Sequence, residues 1–348
     1  MTFENVFYFS DINSIGGCES FFYYLSCKYK NMVIFYKRGD IKQIERLAKN
    51  VEVIRFNDTK IKCKRFFCCY NPDILDYVEA EDYFHIVHCD YKQTKFKPIM
   101  NEKFNHYIGV SQLVCDSFTE LTGIPCECIY NPIAIKKPEI EKYNDGKLHL
   151  ISATRLSSEK GRKRMEQLMK ILDNAGVDYE WKIFTNRKRP FNSRNVILEE
   201  QRIDIIDEIA KSDYLVQLSD HEAYCYSVVE ALLMGVPAIC TDLPVFKELG
   251  IKDCINAIIC DFDMTNITAD KVKKGVPAFK YTPPKDNWNK YLKGDRGYSP
   301  DDLTKVRAVK NYTDVELDRH LNKGNIVEMK KYRVSLLEAR PIRLVERL

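Results

Sequence analysis

Glu222 and Glu230, two carboxylates with seven residues between them, form the pair in this sequence whose spacing could do chemistry. They share one short stretch, Ser219 to Pro244, SDHEAYCYSVVEALLMGVPAICTDLP. Leu215 to Leu218 reads as a buried strand, Val228 to Met234 as a short apolar helix with Glu230 at its start, and Val236 to Thr241 as the next strand. Gly235 stops the helix. A carboxylate in the first turn of a helix sits where exposed N–H groups and the dipole attract negative charge, so Glu230 can be a plain cap. The spacing allows a second reading. Glu222 falls in the loop after one strand and Glu230 on the following helix, so both reach the crevice at the carboxyl edge of a parallel sheet, where open α/β sheets bind ligands.

Three other places offer chemistry. Ser152 to Gly161, SATRLSSEKG, carries Arg155 and Lys160 at a strand end, a planar fork and a point charge suited to phosphate oxygens. Taken alone, both are also what a solvated surface displays. Gly16 and Gly17 follow a first strand, Asn5 to Phe9, and precede a helix, Glu19 to Lys28. Such a pair makes a tight strand-to-helix turn, or lets backbone approach a ligand while helix N–H groups face an anion. His88 and Asp90 end the strand Tyr83 to Val87, where His88 is either a hydrogen-bonded core histidine or a ligand contact.

The elements that must position these residues alternate. Strand-type runs at Met32 to Tyr36, Val51 to Arg55 and Phe66 to Tyr70 alternate with helical stretches at Ile41 to Ala48 and Pro72 to Ala80. Tyr107 to Val110 is strand, Ser111 caps a helix to Leu121, and Glu127 to Tyr130 closes the first half. The second half repeats the plan with strands at Leu148 to Ala153 and Trp181 to Thr185 and helices at Arg164 to Asn174 and Ile205 to Lys211. Alternation of this kind implies parallel sheets with right-handed crossovers. The charged stretch Lys136 to Asp145 reads as a linker. At 348 residues, 45% hydrophobic and 30% charged, the chain is long enough for two domains with real cores and fits no disorder class. A net charge of +4 does not by itself point to nucleic acid or an anionic membrane. Thirteen cysteines form no Cys-x2-Cys pair and read as reduced, mostly buried thiols without zinc. No apolar run approaches the ~20 residues of a membrane span, so a cytoplasmic protein is expected.

The Glu-x7-Glu pair with its ALLMGVPAICTDLP tail, preceded by SATRLSSEKG, resembles the signature of the retaining glycosyltransferases of family 4, the group 1 glycosyl transferases. GGCES, YIGVSQ, YNPI and the Glu248 of TDLPVFKEL are similar to that family at matching places. The resemblance implies an α/β protein of the GT-B fold, two Rossmann-like domains facing each other across a cleft. It implies an acceptor-side domain over residues 1–137, a nucleotide-sugar domain over 138–282, a return segment over 283–300 anchored by Trp288, and an appended module over 301–348. It also implies an enzyme that moves a hexose from a nucleotide-diphosphate sugar, expected to be a UDP-sugar, onto an acceptor hydroxyl, with no cofactor and no obligatory metal. Arg155 and Lys160 would hold the diphosphate, Glu230 the ribose hydroxyls, and Glu222 either the sugar hydroxyls or the charge at the anomeric centre. His88 would contact the transferred sugar, Gly16 and Gly17 would lie under the donor phosphates or the acceptor, and Tyr224, Cys225, Tyr226 and Ser227 would line the donor site. The family holds that configuration is kept by front-face attack, so Glu222 is not read as a nucleophile.

The third residue after Glu222 is often glycine in the family, and here it is Cys225. Asp261 and Asp263 mimic a metal-binding Asp-x-Asp but lie past the core motifs and read as surface. The segment NYTDVELDRHLNKGNIVEMKKYRVSLLEAR resembles a small module at the ends of bacteriophage proteins of Gram-positive hosts. That implies a phage-encoded chain, at work in the host cytoplasm, whose acceptor is a phage structural protein or a host cell-wall polymer. Two alternatives stand beside this reading. One makes hydroxymethylated bases of phage DNA the acceptor, with Lys60 to Arg65, Arg187 to Arg189 and Lys271 to Lys274 tracking phosphates. The other is a nucleotide-sugar epimerase or an idle nucleotide-binding scaffold.

Overall fold

The computed structural model describes residues 2–186 and 189–292. The module assigned to 301–348, the end of the return segment and Arg187 lie outside the described residues. The chain divides into two compact units, one holding residues up to Ala134 together with the segment from Asp286 onward, the other Ile135–Lys285. Each unit is built on an all-parallel sheet flanked by helices.

Unit 1 runs β1 (Phe3–Phe9), β2 (Asp11–Ile12), α1 (Gly17–Lys28), β3 (Val33–Tyr36), β4 (Arg38–Gly39), α2 (Ile41–Ala48), β5 (Glu52–Arg55), β6 (Ile61–Cys69), β7 (Val78–Val87), β8 (His106–Gly109), α3 (Gln112–Thr122) and β9 (Glu127–Cys128). Its main sheet has the order β5-β3-β1-β6-β7-β8-β9, and β2 pairs β4 beside it. The order reverses between β1 and β6, which places the loops after those strands at a topological switch point. A ladder of rings runs across the sheet in register. Phe7 stacks on Phe67 at 4.4 Å, Phe67 on Phe84 at 4.5 Å, and Phe84 on His106 at 4.5 Å. Trp288 is fully buried against Phe7, Phe21 and Phe67, and Tyr291 meets Phe84 at 4.8 Å. The chain that leaves unit 2 is fastened to unit 1 by Asp286, which takes an ion pair from Lys28 and a hydrogen bond from Tyr29 Oη at 2.9 Å.

One expected helix is absent. Pro72 to Ala80, read as helical, is a single 3₁₀ turn (Leu75–Tyr77) followed directly by the ten-residue β7. Length explains the difference. β6 has nine residues and β7 pairs with it in parallel from its first residue, so the eight residues 70–77 must travel back almost ~30 Å. As an α-helix they would span only about 12 Å, whereas a 3₁₀ turn, rising about 2.0 Å per residue, and the non-helical residues before it reach further.

Unit 2 runs β10 (Leu148–Ala153), α4 (Arg162–Asn174), β11 (Tyr179–Thr185), β12 (Val196–Glu200), α5 (Ile206–Lys211), β13 (Tyr214–Gln217), α6 (Tyr226–Met234), β14 (Ala238–Thr241), α7 (Pro244–Glu248), β15 (Ala257–Cys260) and α8 (Ala269–Lys274). Its sheet has the order β12-β11-β10-β13-β14-β15, and the reversal falls between β10 and β13. Helix α4 buries Met165, Leu168, Met169 and Leu172, the i, i+3, i+4, i+7 stripe that sits on a sheet, against Trp181, Ile183 and Leu150. Trp181 is itself tied down by its indole N–H, which donates to Ser152 Oγ at 3.1 Å. Among the described residues no helix is long and apolar enough to cross a membrane.

Candidate functional site

Because β10 and β13 are neighbours, the loops that follow them meet at the carboxyl edge of the unit 2 sheet. Gly161 sets how closely. It adopts φ +77°, and a Cβ there would lie 1.7 Å from the carbonyl oxygen of Leu218, so glycine is required on both counts. The two loops are also joined by Asp220 N–H, which donates to Glu159 O at 2.8 Å, and by Arg164, which donates to Leu218 O at 2.8 Å and pairs with Asp220. This weld delivers Lys160 to Glu222, with Nζ 2.6 Å from Oε1. Both side chains are mostly buried, at 17% and 12% exposure. Burial pulls the Lys160 pKa down, but the Glu222 carboxylate outweighs it and leaves the ammonium above its ordinary value.

Glu222 has two further partners that sequence reasoning missed. Ser219 Oγ donates to the same Oε1 at 2.7 Å, and Gln217 Nε2 donates to it at 3.0 Å. Their only signal in the sequence is a polar pair at the end of an otherwise apolar strand. Arg155 is placed differently. It is 62% exposed and lies 3.8 Å from Glu159, apart from the buried pair.

Glu230 is buried on α6 as its fifth residue, about one and a half turns before Gly235 closes the helix at φ +78°, and so lies outside the first turn where a cap would stand. Helix α6 starts earlier than the apolar run alone suggests, at Tyr226, with Cys225 as its N-cap in the left-handed region at φ +70°. A non-glycine there costs of order 1 kcal/mol. The family resemblance expects glycine at this position, and the backbone keeps a glycine-like shape under a cysteine. Burial pushes the Cys225 thiol up to about 12, so it is neutral. Tyr224 and Tyr226 are buried and pack edge to face at 5.2 Å, which commits their rings to the core, and Ser227 Oγ lies 3.5 Å from Cys225 Sγ.

In unit 1 the loops after β1, β6 and β7 carry a different set. Gly16 caps α1 with extended backbone, and a side chain on Gly17 would meet open space. Their loop is braced by buried Glu19, which accepts from Ser14 Oγ at 2.7 Å, and by Gln43, which donates to Ser14 O at 2.8 Å. His88 packs edge-on to Phe21 at 4.9 Å and stacks on Tyr70 at 5.9 Å, with Nε2 3.2 Å from Cys69 Sγ. Burial, with His85 nearby, drives its pKa down to about 3, so the ring is neutral. Tyr70 holds φ +58°, and its hydroxyl oxygen accepts from Cys18 Sγ at 3.3 Å. Asp90 braces a loop, accepting from Ser117 Oγ at 2.6 Å and from Lys92 N–H.

All thirteen cysteines are free thiols. Among the described residues no group of three or more His, Cys, Asp or Glu side chains could hold a metal ion, and Asp263 is engaged by Thr265. Among the described residues the basic runs are partly ion-paired within the chain. Lys62 pairs with Glu79, Lys64 and Arg65 with Glu4, Lys271 with Asp253 and Lys273 with Asp270.

No family model matches the chain, and no curated protein matches it. Solved structures do. Anabaena Alr3699/HepE in complex with UDP-glucose superimposes with a TM-score of 0.60 at 12% identity, over 96% of this chain and 100% of that one. Sucrose-phosphate synthase from Thermosynechococcus elongatus gives 0.56 at 9% identity, over 97% and 99% of the two chains. A glycosyltransferase from Rickettsia africae gives 0.55 at 12% identity, over 79% and 88%. With two parallel-sheet units in this order and these neighbours, the chain has the GT-B glycosyltransferase fold.

Proposed function

We propose that the protein is a retaining glycosyltransferase that moves a hexose from a UDP-sugar to an acceptor hydroxyl. The observation that carries the reading is the buried Lys160–Glu222 pair at the switch point of unit 2, where a cation suited to phosphate and a carboxylate suited to sugar hydroxyls stand side by side. That similar structures were solved with UDP and with UDP-glucose supports the same donor class.

When the donor binds, its diphosphate competes with Glu222 for Lys160, and the exposed Arg155 closes on the phosphates as a bidentate fork. The bond between the anomeric carbon and the diphosphate oxygen breaks, and its electron pair leaves on the diphosphate. Lys160 and Arg155 stabilise that growing charge without a metal. The acceptor hydroxyl oxygen bonds to the same face of the sugar, and its proton passes to the departing phosphate oxygen, so configuration is retained. Glu222, freed from Lys160, holds sugar hydroxyls and offsets positive charge at the anomeric carbon, while Glu230 takes the ribose hydroxyls. His88 contacts the transferred sugar, and Gly16 and Gly17 serve the donor phosphates or the acceptor. The partial pairing of the basic runs with carboxylates of the chain weighs against DNA as the acceptor. A thermal-shift screen against UDP, GDP, ADP and TDP and their sugars tests the donor reading. A rise with the UDP series is expected by mass action, and no rise with any of them would overturn it.

A further inference from the structure

Glu222 Oε1 has three donors, Lys160 Nζ at 2.6 Å, Ser219 Oγ at 2.7 Å and Gln217 Nε2 at 3.0 Å. A carboxylate oxygen has two lone-pair sites, so two donors suffice to fill it. The three differ in how they are held. Gln217 and Ser219 are 2% and 0% exposed, and they sit at the end of β13 in the middle of the sheet. Gln217 Nε2 also donates to Ser219 Oγ at 2.7 Å, which commits the single Ser219 hydroxyl proton to Glu222. The Ser219 carbonyl is pinned in turn by Thr241 Oγ1 at 2.6 Å on the neighbouring strand. Lys160, by contrast, arrives on a long flexible stem from a loop, and its charge is the one that a diphosphate attracts.

We infer that Gln217 and Ser219 are positioning residues, a fixed cradle that keeps the Glu222 carboxylate in place and oriented when Lys160 leaves it for the donor. The inference rests on the donor reading above and adds a division of labour to it. Lys160 is the exchangeable partner, and the neutral pair is the permanent one. Without the cradle, departure of Lys160 would leave a mostly buried carboxylate short of partners, and Glu222 would swing or hold on to the lysine.

The test uses the full chain with Ser219→Ala, Gln217→Leu and Ser219→Thr, each alone and, for Ser219→Ala, combined with Glu222→Ala. The readouts are hydrolysis of UDP-glucose, UDP affinity by calorimetry, and thermal midpoint. Ser219→Ala and Gln217→Leu are expected to lower kcat about tenfold or more while UDP affinity stays within about twofold. Ser219→Thr, which keeps the hydroxyl, should recover most of the rate. In the Glu222→Ala background, Ser219→Ala should change kcat by less than about twofold, because its effect passes through Glu222. An equal loss in both backgrounds, or a parallel loss of UDP affinity, would overturn the inference. If the wild-type protein neither binds UDP nor cleaves UDP-glucose, the donor reading fails, and the midpoints then decide the cradle. Non-additive shifts for Ser219→Ala and Glu222→Ala support it, and additive shifts refute it.

Discussion

Beside the switch point of unit 2 stand Lys160, Glu222, Arg164 and Asp220, and beside that of unit 1 stand Cys18, Cys69, Tyr70 and His88. The topology is the same in both places, with loops from two neighbouring central strands brought together where the strand order reverses. The furnishing is opposite. In unit 2 the charges are paired, with Lys160, Glu222 and Arg164 mostly buried and Asp220 exposed, which suits a ligand that carries its own anions. In unit 1 burial keeps the histidine neutral and raises the thiols Cys18 and Cys69, so rings and sulfur dominate there beside a single buried carboxylate, Glu19. One fold has thus been used twice, and the side chains at one sheet edge, rather than the architecture, distinguish the paired charges of unit 2 from the rings and thiols of unit 1.

Three expected outcomes probe that contrast. The largest concerns what holds unit 1 together. Trp288→Ala should cost about 3–5 kcal/mol, because a fully buried indole leaves a cavity over the Phe7–Phe67–Phe84 ladder. Chemical denaturation would measure it, and UDP affinity of the folded fraction should not move. A loss of affinity in step with stability would join what the contrast keeps apart.

Acid should separate the units next. His85 and His88 have folded pKa values near 4 and 3, below the ~6.5 of an unfolded histidine. The unfolded chain therefore binds more protons in that window, and the stability they contribute is complete above about pH 6.5 and lost as pH falls toward 4, by up to about 1.4 kcal/mol per pH unit for each. In unit 2, burial raises Glu208 but Lys182 and Lys211 outweigh it and hold it below the usual range, so its contribution persists until about pH 4.3. On lowering pH from 7 to 5, amide protection relative to the intrinsic exchange rate should fall in β6 and β7 before β13 and β14. The reverse order would place the neutral histidines wrongly.

Much of this molecule can be read from its residues. Ser111 accepts from Val114 N–H as the helix cap its type suggests, Gly235 ends α6 in the left-handed region, and Ile41 to Ala48 is a helix over those residues. Local chemistry decides each of these. The stretch Pro72 to Ala80 was not legible, because its conformation is imposed by the distance between two strand ends. Strand β12 was missed because it lies at the sheet edge with a half-exposed VILEE sequence that lacks a strand's alternation. Around the site, Glu222 could be named from its spacing to Glu230 and Lys160 from the motif resemblance, but the Gln217–Ser219 cradle and the Gly161–Leu218 approach could not. Both depend on which strands are neighbours, and no local pattern encodes that.

The measurement that tests the central claim most directly is UDP binding by calorimetry to the wild-type protein, Lys160→Ala and His88→Ala. A UDP site at the paired charges of unit 2 rather than among the rings and thiols of unit 1 requires that the wild type bind UDP, that Lys160→Ala bind it about 10–100-fold more weakly, the worth of one charge-assisted contact, and that His88→Ala stay within about twofold. UDP binding indifferent to Lys160, or lost equally in His88→Ala, would contradict it.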